Sequence, residues 1–306
     1  MLPVAVAIGD PQGIGPEVLR HALASELGCR RLRLYGSLAA LTAAPGPPWQ
    51  PGPDLELVPL EEPTGAAALA AATEALVAGE VAALVTGPID KARVATVLGD
   101  GFVGQTEYLA ERFGCRGQEV MLLAGDRLRV ALLTTHLALR DVPARITRAE
   151  TVRVLRTVHR ELPRLFGIPS PRLALAALNP HAGEGGRFGD EEQRILLPAV
   201  ADLRAAGIVV AGPLPADSLF VQAAAGAYDA VVACYHDQGL APLKLVAFHD
   251  AVNVTLGLPR LRVSPDHGVA RDIAGRGVAH PGSMIRALRL ALAQQTPGQE
   301  SRHEAS

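Results

Sequence analysis

Short, nearly continuous apolar runs alternate along this chain with longer stretches whose apolar positions recur every three or four residues. The runs "LPVAVAI", "RLRLYG", "VAALVT", "RVALLTT", "RLALAAL", "AVVACY" and "AVNVTLG" predict strands. Helical spacing fills the intervals. "PEVLRHALASEL" places Pro16 near its first turn and Gly28 at its stop, and an Ala-rich stretch runs from Thr64 to about Gly79. "TRAETVRVLRTVHREL" carries Thr147 and Glu150 at capping-box spacing, and "DEEQRILLPAVADLRAAG" has an acidic start. Strands that are apolar throughout, rather than on alternate residues, are covered on both faces. The pattern therefore predicts an α/β fold with a mainly parallel sheet. "PGPPWQPGP" reads as an irregular connection and the polar tail "QTPGQESRHEAS" as frayed.

With 306 residues the chain can build two domains, and with 49% hydrophobic but only 4% aromatic residues their cores are packed by Ala, Leu and Val. A net charge of −2 argues against a nucleic-acid groove or an anionic membrane surface as the main partner. No apolar run approaches the roughly 20 residues of a membrane span, and the N-terminus lacks the basic start of a signal peptide. Cys29, Cys115 and Cys234 are odd in number, far apart and without a CxxC pair, which suits reduced thiols in a cytoplasm.

Among 29 basic residues only Lys91 and Lys244 are lysines, and both sit in Gly/Pro-punctuated segments after apolar strands, which read as loops. Arg cannot replace a compact ammonium that must fit a small site or change protonation. Three of the nine histidines share one context: His136, His181 and His236 each follow the end of a core strand. Singly, each could merely hydrogen-bond in a loop. Together on one sheet rim, they make the nitrogen ligand set of a divalent metal, with zinc, cobalt or nickel better suited than magnesium. "NPHAGEGG" allows close backbone approach to a ligand. Lys244, Asn253 and Arg262, read as lying in loops or at strand ends, could hold a phosphate or carboxylate.

At these residues the sequence resembles the PdxA family of 4-hydroxythreonine-4-phosphate dehydrogenases. The resemblance rests on "GDPQGIGPEV", "TGPIDK", "GQTEYLA", "TTHLALRDV", "NPHAGEGGRFGDEE", "GPLPADSLF", "YHDQGLAPLK" and "VNVTLGLPRLRVSPDHGVARDIAG", in order from residue 9 to about 275. "GDPQGIGPEV" and "DHGVARDIAGRGVAHP" are also similar to segments of the isocitrate and isopropylmalate dehydrogenases, which bind NAD(P) without a GxGxxG turn. The resemblance implies two α/β/α domains with mainly parallel sheets and the active site in the interdomain cleft. Residues 1–103 with 265–306 would form one domain, carrying the nucleotide loop at Asp266, His267 and Gly268. Residues 104–264 would form the second, with the metal and substrate residues and the interface of a homodimer.

Carried over by position, His136, His181 and His236 match metal ligands shared between subunits, one zinc, cobalt or magnesium ion per subunit. Gln105, Thr106, Lys244, Asn253 and Arg262 match substrate-binding positions. Asp217 matches an acidic residue near the metal, with Lys244 and Asp217 as proton carriers; a helix-start cap is an equally open reading of Asp217. The family's "GHTE" reads "GQTE" here, and its "TGPINK" reads "TGPIDK", so Gln105 and Asp90 depart from the pattern. The implied activity is NAD- or NADP-dependent oxidation of 4-phosphohydroxy-L-threonine with decarboxylation to 3-amino-2-oxopropyl phosphate, in pyridoxal 5'-phosphate biosynthesis. The alternatives are a paralogue acting on a four-carbon sugar-acid phosphate or a cis-diol carboxylate, and a non-catalytic metal- or metabolite-binding protein.

Overall fold

The computed structural model describes residues 1–25, 27, 30–99 and 101–295. Gly28, Cys29 and the tail after Gln295 lie outside the described residues, and with them the expected helix stop, one of the thiols and the fraying. The chain begins with β1 (Val4–Ala7), α1 (Gly15–Leu23), β2 (Leu32–Tyr35), α2 (Leu38–Ala43), β3 (Leu55–Val58), α3 (Gly65–Val77) and β4 (Ala83–Thr86). There follow α4 (Lys91–Leu98), α5 (Gln105–Arg112), β5 (Val120–Ala124), β6 (Arg129–Leu132), α6 (Val142–Arg145), α7 (Arg148–Phe166) and β7 (Leu173–Ala176). The last part holds α8 (Leu197–Ala205), β8 (Val210–Leu214), α9 (Ala216–Ala224), β9 (Ala230–Ala233), α10 (His236–Ala247), β10 (Val252–Leu256), β11 (Leu261–Pro265) and α11 (Gly282–Leu292).

These strands form a single sheet in the order β3-β2-β1-β4-β11-β10-β5-β6-β9-β7-β8. The sheets expected for two domains are thus joined edge to edge, through the β4–β11 pair. β10 runs antiparallel to β11 and β5, and β5 antiparallel to β6; the remaining pairs are parallel. The two antiparallel strands sit at the centre, so the parallel blocks on either side run in opposite directions. Sheet twist of about 20–25° per strand turns the blocks by roughly a right angle across the five pairings from β4 to β9. That lets the C-terminal ends of both blocks approach one central cavity.

Local sequence explains most element ends. Thr64 and Thr147 cap α3 and α7 with their side chains, accepting from the backbone N–H of Ala67 and Glu150. The capping box at α7 is half made, because the Glu150 carboxylate turns to Arg153 at 2.5 Å. Gly167 closes α7 in the left-handed region at φ 67°. α1 is shorter than its periodicity suggests and ends at Leu23. The acidic-start helix opens as a π-helical turn, Glu192–Leu196, before α8.

The lysine segments depart from expectation. Lys91 opens α4 and Lys244 lies within α10, so neither is in a loop. Pro242 stands inside α10, at a cost of about 3 kcal/mol for a helix interior. Leu240 and Leu243, each worth roughly 1.5–3 kcal/mol on burial, offset it by packing the helix on β6 and β9. Gly239 permits that contact, since a Cβ there would lie 2.6 Å from Val130 Cγ1. Among the described residues no helix is long and apolar enough to cross a membrane.

Candidate active site

A cavity of about 420 Å³ opens over the central strands. Its floor follows from strand register. Arg262 pairs with Thr255 across the β10–β11 ladder, and Asn253 with Ser264. Thr255 and Asn253 face Met121 and Leu123 of β5 in turn. Cross-strand partners share a face and successive odd or even positions repeat it, so these side chains point into one space. Asn253 therefore lies within the strand that "AVNVTLG" predicted rather than at its end, and Arg262 lies within a strand where the sequence suggested a loop or strand end.

Arg262 is only 3% exposed, and its partners are all neutral. Nε and Nη2 donate to Thr86 Oγ1 at 3.1 and 2.7 Å, Nη1 to Thr255 Oγ1 at 3.3 Å and Thr106 Oγ1 at 3.5 Å, and Nη2 to Gln105 Oε1 at 2.5 Å. Burial pulls this guanidinium down to about 10, with the Glu107 carboxylate acting against the shift. A buried charge without a counter-ion costs several kcal/mol, and an anion entering the cavity relieves that cost. The start of α5 adds to the attraction: Gly104, Gln105 and Thr106 line the cavity at a helix N-terminus that has no side-chain cap. Gln105 is held in one orientation, since Nε2 donates to Gly87 O at 3.2 Å while Oε1 serves Arg262. Asn253 Oδ1 and His267 Nε2, both in lining residues, are buried without a hydrogen-bond partner among the described residues.

His136 and His236 stand on the cavity wall with ring centroids 5.7 Å apart. They meet because β6 and β9 are parallel neighbours, and because Thr134 Oγ1 donates to Cys234 O at 2.8 Å just before them. Gln238 ties the next strand in, donating to Ala177 O and accepting from Cys234 N, both at 2.7 Å. His236 Nδ1 lies 2.7 Å from Asp237 Oδ1, which leaves Nε2 available. The His136 imidazole is held below its usual value by desolvation first, then by the positive charge of Lys91 and by His236. Lys244 enters from α10 and pairs with Asp266 at 3.1 Å. Asp266, His267 and Gly268 line the same cavity, and burial depresses the His267 imidazole.

His181 and Asp217 are not part of this lining. His181 follows β7, the neighbour of β9, and stands near Phe188 at 6.3 Å between rings. It starts a left-handed run, with φ of 51° at His181, 54° at Ala182 and 43° at Glu184, interleaved with glycines that adopt such angles freely. Non-glycine residues there are strained, and buried Glu192 holds the turn by accepting from Asn179 N at 2.8 Å. α9 packs against this turn and brings Asp217 with it. Asp217 is in the first turn of α9 rather than at its cap, which is Pro215, and its Oδ1 accepts from Ser218 N at 2.8 Å.

One chain thus brings together two of the three histidines, and the described residues hold no cluster of three or more His, Cys, Asp or Glu arranged for a metal. Sequence reasoning missed Lys91, Glu107, Thr86 and Thr255 as neighbours of the cavity. Lysine scarcity was the available signal for Lys91: both lysines of the chain line this one space. Asp90 caps α4 and its other oxygen meets Arg271 at 2.7 Å, so its charge is directed away from Lys91.

Comparison with known proteins gives a consistent picture. Residues 60–291 match the family model described as pyridoxal phosphate biosynthetic protein PdxA. The chain is 46% identical to the 4-hydroxythreonine-4-phosphate dehydrogenase of Chromobacterium violaceum, over 94% of this chain and 95% of that protein. Its fold is similar to the solved 4-hydroxythreonine-4-phosphate dehydrogenase of Klebsiella pneumoniae, with TM-score 0.82 and 36% identity over 96% and 99% of the two chains. A more distant likeness, to isocitrate dehydrogenase from Methylococcus capsulatus, has TM-score 0.52 and 15% identity over 96% and 85% of the chains and concerns the fold alone.

Proposed function

The chain belongs to the PdxA family of pyridoxal phosphate biosynthesis, and from that premise we propose that it is a 4-hydroxythreonine-4-phosphate dehydrogenase. It oxidises 4-phosphohydroxy-L-threonine with NAD+ or NADP+, and the product loses carbon dioxide to give 3-amino-2-oxopropyl phosphate. The observation that carries this reading is the cavity floor. A buried guanidinium with only neutral partners suits a phosphate dianion, and the α5 N-terminus and Lys244 reinforce it. Thr106, Gln105 and Asn253 complete the phosphate site. With the phosphate on the floor, the secondary alcohol of a four-carbon amino acid reaches toward His136 and His236. Asp266, His267 and Gly268 are assigned to the dinucleotide, on the wall they share with Lys244. Residues 1–103 with 265–306, and residues 104–264, are the two halves that meet at this cleft.

The two imidazoles fit a divalent metal, with His236 Nδ1 already engaged by Asp237, and nitrogen donors favour zinc or cobalt over magnesium. Such an ion, when bound, supplies a Lewis acid that lowers the alcohol's pKa. The third ligand is His181 of a second copy, and Asp217 comes with it to share proton transfer with Lys244. Exposed apolar side chains support a homodimer: Leu137 and Leu139 follow His136, Phe188 lies by His181, and Leu245 and Phe248 project from α10. Buried, unpaired Cys115 and Cys234 suit a reducing cytoplasm.

The test is NADH formation from 4-phosphohydroxy-L-threonine, a four-carbon sugar-acid phosphate and a cis-diol carboxylate, each with and without zinc, cobalt or magnesium. Metal-dependent turnover of the amino-acid phosphate supports the assignment. Turnover of another substrate alone moves it to a paralogue, which Gln105 would favour because an amide cannot carry a proton's charge. Ligand binding with no turnover in any case identifies a non-catalytic binding protein.

A further inference from the structure

Lys91 has no place in the assignments above, yet its setting is unusual. It opens α4, the end of a helix where a positive charge is disfavoured. Its neighbour Asp90 offers it no compensation, since one carboxylate oxygen accepts from Ala92 N at 3.0 Å and the other meets Arg271. Among the described residues Lys91 is in no ion pair, whereas Lys244 is held by Asp266. Lys91 is exposed at the rim, on the side of His136, while Arg262 lies buried at the floor. Glu107 also lines the cavity and reaches the same space beside Gly104 as Lys91. Among the described residues neither Lys91 nor Arg262 is ion-paired with it, so the cavity offers two unpaired cations at different depths.

We propose that Lys91 is a substrate-binding residue that holds the carboxylate of the amino-acid phosphate while Arg262 holds its phosphate. This rests on the substrate class proposed above. The two anionic groups of that substrate sit at opposite ends of a four-carbon chain, with the reacting alcohol carbon between them. Pinning both ends fixes that carbon beside the histidine pair. A lysine serves at the rim because its compact ammonium stays hydrated until the carboxylate arrives, whereas a rigid arginine fork suits the buried phosphate.

The experiment is a calorimetric titration without dinucleotide, so that no turnover occurs. Wild type, Lys91→Met and Lys91→Arg are each titrated with 4-phosphohydroxy-L-threonine and with 3-amino-2-hydroxypropyl phosphate, the same molecule lacking the carboxylate. Wild type is expected to prefer the carboxylate-bearing ligand. Lys91→Met is expected to bind that ligand about tenfold more weakly, as for loss of one charge-assisted contact, while its affinity for the analogue stays the same. Lys91→Arg should restore most of the difference. Equal weakening for both ligands, or none for either, overturns the proposal. Wild type that binds both ligands equally removes the role of Lys91 and leaves the substrate class standing. Wild type that binds neither removes both.

Discussion

Replacing Arg262 with Met should separate binding from stability. The guanidinium is buried, its pKa is pulled down to about 10, and its partners are neutral. At about 1.4 kcal/mol per tenfold in protonation, the folded state bears on the order of 3 kcal/mol to keep this charge. The folded value lies below the unfolded one, so the folded chain holds fewer protons only between the two values. Below pH 10 both states are protonated and the whole cost is in force, including at neutral pH. Met keeps the stem and removes the charge, which relieves that cost. It also leaves Gln105 Oε1 without its donor, a penalty of about 1–3 kcal/mol. The threonine hydroxyls can re-pair, as Thr106 and Thr255 already approach at 3.4 Å. These terms nearly cancel, so the urea-unfolding free energy should change by no more than about 2 kcal/mol in either direction. Catalysis should not be spared: removing one partner of a buried charge pair costs about 2–5 kcal/mol, or about 30- to 5,000-fold in kcat/KM. Saturating phosphate should stabilise wild type, by about 2.7 kcal/mol at a hundredfold excess over Kd, and leave the variant unmoved. Destabilisation beyond about 4 kcal/mol with kcat/KM kept within about tenfold would refute the reasoning and make Arg262 a structural residue.

Three further outcomes follow from particular contacts. Gln105→Glu places a carboxylate against Arg262, so thermal stability should rise while the substrate KM rises about tenfold or more; unchanged KM would deny Arg262 its anion. Mixing His181→Ala and His236→Ala variants under subunit exchange should recover about a quarter of wild-type activity, because half the dimers are mixed and each of those has one intact site of two. No recovery, in a dimer shown to exchange, would remove the shared metal site. Gly239→Ala should destabilise by about 1–3 kcal/mol, since its Cβ meets Val130 Cγ1 at 2.6 Å, and should lower activity by shifting α10 with His236 and Lys244; a variant with native stability and rate would show that α10 can move without effect.

Strands that bury both faces announced themselves, because their apolar runs need no alternation; the parallel character of β1, β4, β6, β7 and β9 was legible for that reason. β11 was harder. Its polar members Arg262 and Ser264 line a cavity and broke the apolar run, so it was not read as a strand, whereas the run that became β10 was, although its Asn253 lines the same cavity. α10 was misread because Gly239 and Pro242 are turn residues locally; tertiary packing of Leu240 and Leu243 decided otherwise. The histidine context was visible as three strand ends, and strand order brings His136 and His236 together. Lys91 shows the reverse case: composition marked it as unusual, but only the fold reveals that it shares a cavity with Lys244.

The central claim is that this cavity oxidises and decarboxylates a phosphorylated hydroxy-amino acid. Its most direct test follows NADH absorbance and labelled carbon dioxide together, using carboxyl-labelled 4-phosphohydroxy-L-threonine, NAD+ and metal-loaded protein. The account predicts equal amounts of NADH and labelled carbon dioxide, both abolished by Arg262→Met. Neither signal from folded, metal-loaded protein, or equal signals that survive Arg262→Met, would contradict it.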